Sequence, residues 1–172
     1  EICTENSPCN TNTVYGLTKL EAEKLIVIES NVLAYRFATC CGLSPCMRVE
    51  LLVHDFIYQA VNNKSIVIFE ADARRTFIHI DDFVQSIEFG LLNIDKFEHK
   101  ILNVGSDEMN WSKRRLAEYV KEKTGCAIFY GDIGKDLDCR DYEVSYKEIS
   151  NYGFIAWKTM EFAVRELIKA AP

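Results

Sequence analysis

The chain has 172 residues, which is enough for one domain of ordinary size with a hydrophobic core. Its 48% hydrophobic and 27% charged residues are typical of a globular protein and argue against a disordered or fibrous chain. The net charge of -6 argues against nonspecific binding to nucleic acid or membranes, since both attract basic surfaces. No apolar run approaches the ~20 residues that span a bilayer, and no signal peptide is recognised, so we expect a cytoplasmic protein.

The seven cysteines do not follow the pattern of a secreted disulfide scaffold. Their number is odd, no two have CxxC spacing, and Cys40 and Cys41 are adjacent. Histidines and cysteines do not fall at zinc-ligand intervals, so no metal site is predicted. We therefore expect reduced cysteines that are mostly packed in the interior.

The spacing of apolar residues predicts five helices in chain order. The first is expected to run from about Val14 to Glu29, with Thr11, Asn12 or Thr13 as its N-cap. The second carries apolar residues at spacings of three and four along one face. These residues are Val49, Leu52, Val53, Phe56, Ile57, Ala60 and Val61.

The remaining three helices have clear start or stop signals. The third is expected to begin at Asp81 or Asp82, with His79 and Asp82 shaping the turn before it. Its inward-facing residues would be Phe83, Ile87 and Leu91. The fourth begins at Ser112 and ends near Gly125, which suits a left-handed C-terminal cap. The last is expected over about residues 159–170.

Five runs rich in β-forming residues lie between these helices. They are Val32–Phe37, Ser65–Phe69, Thr76–Ile80, Ile101–Val104 and Ala127–Tyr130. Strands that alternate with helices favour an α/β fold, and no repeat, low-complexity tract or linker divides the chain.

A glycine-rich Gly-x-Gly-x-x-Gly turn between a strand and a helix is absent from this sequence. Gly131 and Gly134 are followed by Lys135 and Asp136 and do not open a helix. A complete dinucleotide-binding fold carries such a turn near its N-terminus. Together with the polar, turn-like residues 5–8, this favours a partial chain that lacks the usual means of binding a pyrophosphate.

Tyr15 and Lys19 are four residues apart and fall on one face of the first predicted helix. A free tyrosine is a poor base at neutral pH, but a neighbouring cation favours the phenolate. Such a pair could exchange a proton with a substrate hydroxyl. The alternative is a surface tyrosine and lysine on an amphipathic helix, because YxxxK alone is a common pattern.

Further motifs follow the YxxxK helix in a fixed order. The sequence RFAT stands at residues 36–39, before Gly42 and Pro45, and R-x-F-I-H at residues 75–79 precedes two aspartates. NVGS then stands at residues 103–106. In this order and spacing the chain resembles the extended short-chain dehydrogenase/reductases, the NAD-dependent epimerase/dehydratase family. It is most similar to the UDP-glucose 4-epimerase-like enzymes, and to their C-terminal half only.

This resemblance implies a role for each matching position in catalysis and cofactor binding. Tyr15 would be the catalytic acid/base, and Lys19 would bind the nicotinamide ribose and favour the tyrosine's phenolate. The backbone around Cys41 and Gly42 would lie near the nicotinamide. The implied cofactor is NAD, with NADP left open.

The resemblance also implies a substrate site. Thr39 and His54 stand where many relatives have an asparagine that contacts the substrate, and both depart from that pattern. Arg75 and Arg140 match arginines that clamp a nucleotide diphosphate, a role suited to a planar fork of donors. Arg48 is a weaker candidate.

Each of these substrate residues has a simpler interpretation. His54 falls on the polar side of its helix, where it would be solvated. Arg75 follows Arg74, and either could be an exposed charge. Arg140 lies among acidic residues and could form only surface ion pairs.

The fold implied by the resemblance has two parts. Residues 1–45 would supply the last part of a Rossmann-like NAD-binding domain. Residues 46–172 would build mostly the smaller α/β substrate-binding region, with some return to the main sheet. In relatives the YxxxK helix packs in a dimer interface, so we expect a homo-oligomer, most simply a dimer.

The implied function is that of an NAD-dependent nucleotide-sugar epimerase or dehydratase. Tyr15 would take a proton from a sugar hydroxyl while hydride moves from the adjacent carbon to NAD. We expect the isolated chain to lack this activity. The alternatives are a catalytically silent nucleotide-sugar-binding or assembly fragment, and a keto-sugar reductase of the same family. The sequence leaves the sugar and the nucleotide base open.

Overall fold

The structure is a computed structural model that describes residues 2–11, 13–29, 32–97, 100–131 and 141–171. Helices and strands alternate along most of the chain. The helices are α1 (Val14–Ile26), α2 (Leu52–Tyr58), α3 (Ile80–Leu92), α4 (Lys113–Thr124), α5 (Lys147–Asn151) and α6 (Met160–Ala170). The strands are β1 (Ile2–Cys3), β2 (Leu33–Phe37), β3 (Thr39–Cys41), β4 (Ser65–Phe69), β5 (Arg74–His79), β6 (Lys100–Val104), β7 (Asn110–Ser112), β8 (Ala127–Gly131) and β9 (Glu143–Val144).

Side-chain caps begin three of the helices at the predicted places. Thr13 accepts a hydrogen bond from Gly16 N, and Thr159 accepts one from Phe162 N. Ser112 caps α4 in the same way, and Gly125 ends that helix in the left-handed conformation. These caps satisfy backbone groups that a helix end leaves unpaired. The predicted starts of α1, α4 and α6 are therefore confirmed.

The second helix is shorter than its apolar pattern suggests. α2 covers Leu52–Tyr58, and residues Gln59–Asn63 continue it as a π-helical turn. Lys64 then ends the segment with a positive φ of 56°. Gln59 Oε1 accepts a hydrogen bond from Val67 N, so this turn also holds the edge of β4. The apolar face itself is confirmed, because Val53, Phe56, Ile57 and Ala60 are buried.

Parallel pairing dominates the sheets. β2 pairs with β6, β3 with β5, β4 with β8 and β1 with β9, each in parallel, whereas β7 joins β5 antiparallel. Parallel strands joined through helices are the hallmark of α/β proteins. The α/β fold expected from the sequence is confirmed.

Strand boundaries differ from the prediction at β5, and four short strands were not predicted. β5 begins at Arg74 because its first three residues pair with β7, and it ends at His79 because Ile80 opens α3. The unpredicted strands are β1, β3, β7 and β9, each of two or three residues. Runs this short carry too little alternation to be recognised without their partners.

Two hydrophobic cores lie within the described residues. The first core lies among α2, α4, α6 and strands β4 and β5; its members include Phe77, Ile66, Ile68, Met109, Leu116 and Met160. The second core lies around β2, β6 and α5; it contains Ala38, Ile78, Phe97, Leu102, Val104, Tyr146, Ile149 and Phe154. β5 contributes to both cores, since Phe77 and Ile78 point to opposite faces of the strand.

The orientation predicted for α3 is wrong for Ile87 and Leu91, which are exposed, whereas Phe83 is partly buried and packs against the second core. The buried residues of this helix are Asp82, Ser86 and Gly90. The small residues allow the helix to lie close to β2: Tyr35 donates its hydroxyl hydrogen to Ser86 O at 2.9 Å, and a Cβ on Gly90 would lie 2.4 Å from that hydroxyl oxygen. Close approach through small side chains therefore decided which face is buried.

The cysteines are less uniformly packed than expected. Cys3, Cys9, Cys40, Cys41, Cys46 and Cys126 are free thiols. Cys41 and Cys126 are buried, but Cys9 and Cys46 are exposed, so the prediction of mostly packed cysteines is wrong for those two. Within the described residues, no helix is both long and apolar enough to cross a membrane.

Candidate active site

The predicted acid/base pair lies on an exposed helix. Tyr15 is in the first turn of α1 with 72% of its surface exposed, and Lys19 lies one turn later on the same face. The Lys19 Nζ atom is 5.5 Å from the centre of the Tyr15 ring. Phenol and ammonium are thus neighbours, and a ligand can reach both from solvent.

An ion pair fixes the position of α1 against β2. Arg36 donates from Nε and Nη2 to the two carboxylate oxygens of Glu23, at 2.8 and 2.7 Å. Its Nη1 atom donates to the backbone oxygen of Glu5 at 3.0 Å, and Glu5 Oε1 accepts a hydrogen bond from Asn103 N at 2.9 Å. The hydrogen bond that Arg36 donates to Glu23 is the largest of the influences that raise the pKa of Arg36. One bidentate contact therefore sets the orientation of the helix that carries Tyr15.

Two other predicted residues lie on neighbouring strands with Arg75. In the register of β3 and β5, Thr39 is opposite Phe77 and Cys41 is opposite His79. Alternate residues of a strand share a face, so Arg75 lies on the same face of β5 as Phe77. The structure therefore places Thr39, Cys41 and Arg75 on one face of this small sheet.

Cys41 ends β3 and is followed by the Gly42 loop, which we define as residues 42–46. Gly42 is buried, whereas Leu43, Pro45 and Cys46 are exposed. Cys41 is buried, and burial raises the pKa of its thiol. Gly42 has φ +124°, and a Cβ there would lie 2.8 Å from His79 Nε2. A glycine is required at this position both by the backbone conformation and by the proximity of the imidazole.

His54 is buried, and the alternative that it is solvated is wrong. Only 8% of its surface is exposed, because α2 packs that side of the helix against the Gly42 loop. Its Nδ1–H donates to Arg48 O at 3.1 Å, and Nε2 lies 3.3 Å from Gly42 N and 3.1 Å from Gly42 O. Both ring nitrogens already contact backbone, so contact with a substrate stays a prediction that competes with these bonds.

The arginines predicted to bind a diphosphate differ in their surroundings. Arg74 donates to Asp141 Oδ1 at 3.0 Å and pairs with Glu143 Oε1 at 3.0 Å, so its guanidinium already binds the segment of residues 141–143. Arg75 is half-buried and donates from Nη1 to Arg74 O at 3.1 Å. Arg48 forms an exposed pair with Glu50. Arg140 lies outside the described residues.

A partly buried pair that the sequence did not reveal joins α6 to this site. His79 caps α3 by accepting a hydrogen bond from Asp81 N at 3.1 Å, so its role in the strand-to-helix turn is confirmed. Its Nε2 atom is 2.8 Å from Glu166 Oε1, and the same oxygen accepts a hydrogen bond from Leu43 N at 2.8 Å. In the sequence, Glu166 is one of several charged residues on an amphipathic helix, so no sequence pattern indicates its contact with His79.

Asp82 also shapes the region between α3 and α6. Its carboxylate is fully buried, and Oδ2 accepts a hydrogen bond from Lys158 N at 2.9 Å. Lys158 in turn places its ammonium 3.2 Å from Asp81 Oδ2 and over the ring of Trp157. Asp82 thus holds the segment that leads into α6, and its role in the turn before α3 stays a prediction.

The comparison with known families decides the identity of this fold. Residues 1–105 match the sequence profile described as NAD dependent epimerase/dehydratase family. The chain belongs to this family. The match includes the YxxxK helix and the motifs of β2, β3 and β5, and the first core continues beyond it.

Solved structures of similar fold cover almost the whole chain. MoeE5 in complex with UDP-glucose and NAD is 23% identical with a TM-score of 0.83, covering 98% of this chain and 58% of that one. The dTDP-glucose 4,6-dehydratase of Bacillus anthracis str. Ames, in complex with NAD, is 18% identical with a TM-score of 0.83, covering 98% and 55%. The UDP-glucose 4-epimerase of Thermus thermophilus, complexed with NAD, is 15% identical with a TM-score of 0.81, covering 98% and 57%.

These structures establish the fold of the family member described above. The α/β arrangement with parallel strands corresponds to part of their Rossmann-like architecture, as the sequence resemblance implied. The chain spans little more than half the length of each of these proteins.

Proposed function

We propose that this chain carries the nucleotide-sugar side of an NAD-dependent epimerase or dehydratase. Residues 1–45 then contribute the YxxxK helix and the end of the NAD-binding sheet, and residues 46–172 contribute mostly the substrate-binding region. The observation that carries the proposal is the Tyr15–Lys19 pair, exposed on a helix whose orientation is fixed by the contact between Glu23 and Arg36. The family match supports the same assignment.

The residues fit the nicotinamide end of NAD in part. The exposed Tyr15 hydroxyl and Lys19 ammonium suit the ribose of a dinucleotide, and the backbone of Cys41 and Gly42 would line the nicotinamide. The Gly42 N–H already faces His54 Nε2, so it is not available as a free donor to the cofactor. NAD, when bound, supplies the hydride acceptor.

The proposed chemistry of the chain itself is proton transfer. Tyr15, as phenolate beside the Lys19 ammonium, takes the proton from a sugar hydroxyl and returns the proton to the sugar when the reaction runs in reverse. Arg75 and Arg140 hold the diphosphate, and Thr39 and His54 border the sugar. The planar guanidinium of an arginine can donate two parallel hydrogen bonds to a phosphate, which suits this role.

The test is calorimetric titration of the chain with UDP-glucose and, separately, with NAD. We expect UDP-glucose to bind and Arg75→Ala to lower its affinity by about tenfold to 100-fold, since a charge-assisted contact is lost. The matched control is Arg165→Ala, an exposed arginine on α6, which should leave the affinity unchanged. Binding of neither ligand to the unaltered chain would contradict the proposal.

A second candidate is a nucleotide-sugar-binding fragment without turnover. It is favoured by the absence of a glycine-rich phosphate-binding turn from this sequence. We expect no NAD-dependent conversion of UDP-glucose by the isolated chain, measured by product analysis. Conversion that disappears in Tyr15→Phe would exclude the fragment and support catalysis by Tyr15. Conversion by a keto-sugar reductase would instead require a reduced cofactor and a keto-sugar.

We further propose that α1 contributes to a homodimer. Its apolar side chains Val14, Leu17, Leu25 and Ile26 are exposed, and apolar surface of this kind favours association. Sedimentation equilibrium should show a dimer that Leu25→Glu weakens. A monomer at all concentrations would contradict this proposal.

A further inference from the structure

The Gly42 loop is held by side chains from three separate elements. His54 from α2 and Glu166 from α6 contact it through hydrogen bonds, and His79 at the end of β5 lies against Gly42. His54 lies 12 residues along the chain from its partner Gly42, and Glu166 lies 123 residues from its partner Leu43. Since the loop follows the strand that carries Thr39 and Cys41, its position determines the shape of the proposed nicotinamide and sugar site.

The hydrogen bonds around His79 define its protonation. Nδ1 accepts a hydrogen bond from Asp81 N, so this nitrogen carries no hydrogen. The hydrogen therefore lies on Nε2, which donates to Glu166 Oε1 at 2.8 Å. The ring is only 1% exposed, so no water replaces either partner at low cost.

A single oxygen of Glu166 connects this imidazole to the loop. Oε1 accepts from both His79 Nε2–H and Leu43 N–H, each at 2.8 Å. The imidazole also limits the loop by contact, because a Cβ on Gly42 would lie 2.8 Å from its Nε2 atom. The hydrogen bond from Leu43 N to Glu166 thus holds the loop next to α6, and contact with the His79 ring prevents a closer approach of the loop to β5.

We propose that Glu166 is a positioning residue that fixes the Gly42 loop in the conformation used by the ligand site. It does so by binding Leu43 N–H directly and by holding His79 in the Nε2–H tautomer. α6 is thereby the element that locks the loop, although it carries none of the residues predicted to touch substrate or cofactor. The part of this inference that concerns a ligand rests on the proposed function above.

The variants that test this role separate the acceptor oxygen from the charge. Glu166→Gln keeps one oxygen that accepts both bonds, removes the charge and replaces the second oxygen by an NH2 group. Glu166→Leu keeps a similar size and removes the acceptor. Arg165→Leu, at the exposed neighbouring position of α6, is the matched control for a new leucine on this helix.

The first measurement is amide hydrogen exchange of Leu43 together with ¹⁵N spectra of the His79 ring. We expect Glu166→Leu to accelerate exchange at Leu43 by about tenfold to 100-fold, the effect of one charge-assisted hydrogen bond, and to mix the two tautomers. Glu166→Gln should restore slow exchange and the single tautomer. Unchanged exchange in Glu166→Leu, or failure of Glu166→Gln to restore it, would overturn the proposal.

Three further outcomes are separated by design. If Glu166→Leu does not fold, Glu166→Asp withdraws the same oxygen by one methylene, and the faster exchange should then be confined to the loop. If UDP-glucose binds the unaltered chain, Glu166→Leu should weaken it about tenfold while Glu166→Gln stays within about twofold. Equal affinity in all three would overturn the ligand part. If no ligand binds the unaltered chain, the proposed function fails, and the exchange data alone decide whether Glu166 fixes the loop.

Discussion

α1 and α6 begin in the same way and are packed in opposite ways. Each is capped by a threonine, Thr13 or Thr159, whose side chain accepts a hydrogen bond from the backbone three residues later. None of the 13 residues of α1 is buried, whereas α6 buries Met160, Ala163, Val164 and Leu167 in the first core. Local sequence thus specifies a helix without specifying what covers it.

The difference has a consequence for the proposed site. Tyr15 and Lys19 lie on the helix with the least packing, and its position depends largely on the Glu23–Arg36 contact. Glu166 lies on the well-packed helix and holds the Gly42 loop. The residues that do the proposed chemistry are therefore on a helix without buried residues, and a residue that positions the loop is on a helix packed in the first core.

The same substitution on the two helices should have very different effects. Leu167→Ala on α6 should lower the free energy of unfolding by about 3 kcal/mol, because it leaves a cavity in the first core. Leu25→Ala on α1, where the side chain is 67% exposed in the single chain, should change the stability of the monomer by less than about 0.5 kcal/mol. Urea denaturation of both variants, at protein concentrations low enough to dissociate the proposed dimer, measures this. A loss of similar size in Leu25→Ala under these conditions would mean that α1 is covered within the monomer.

The Gly42 loop should be the most sensitive position outside the two cores. Gly42→Ala should cost about 2 to 3 kcal/mol, because the side chain meets His79 and the φ of +124° is strained for alanine. Gly153→Ala is the control: its φ is +103°, but a Cβ there meets nothing within 4 Å. Its cost, from the backbone alone, should be about 1 kcal/mol. Equal losses in urea denaturation would show that the contact with His79 is unimportant.

Breaking the contact between α1 and β2 should release the helix without unfolding the cores. Arg36→Ala should cost about 1 to 2 kcal/mol, since it leaves a mostly covered Glu23 carboxylate without its partner. Hydrogen exchange should accelerate in α1 and stay slow in α6. Lys24→Ala, which breaks an exposed pair with Glu21, serves as the control and should cost less than about 0.5 kcal/mol. Uniform acceleration in both helices would contradict the separation.

Tyr35, which precedes Arg36 on β2 and points to the opposite face, should give the smallest change in stability, and that change should depend on pH in the alkaline range. Tyr35→Phe should cost about 1 kcal/mol at neutral pH by removing the hydrogen bond to Ser86 O. Burial raises the pKa of Tyr35 from 10.0 to about 12. The unfolded chain therefore loses this proton first, so Tyr35 should lower stability progressively between pH 10 and about 12.

Thermal unfolding of Tyr35→Phe and the unaltered chain across that pH range checks this sign. The stability of the unaltered chain should fall relative to that of Tyr35→Phe as the pH rises from 10 to about 12, because only the unaltered chain carries this tyrosine. A rise in the stability of the unaltered chain relative to Tyr35→Phe over this range would contradict the assignment of the raised pKa to Tyr35.

Local signals were sufficient for most of the helices and longer strands. Thr13, Ser112 and Gly125 mark helix ends by satisfying backbone groups within a few residues, so sequence alone determines them. The five longer strands were found because their runs of branched and aromatic residues extend over several positions. The order of motifs from YxxxK to NVGS was enough to assign the family that the profile match establishes.

Only the tertiary structure decided which faces are covered and which charges meet. α3 buries its small residues because Tyr35 on β2 approaches Ser86 and Gly90. Tyr35 and Ser86 are 51 residues apart in the sequence. His54 is buried by the Gly42 loop, and Glu166 was not distinguishable from other helix charges until His79 and Leu43 met it. Capping and periodicity act over a few residues, whereas burial and hydrogen-bond partnership depend on segments that only folding brings together.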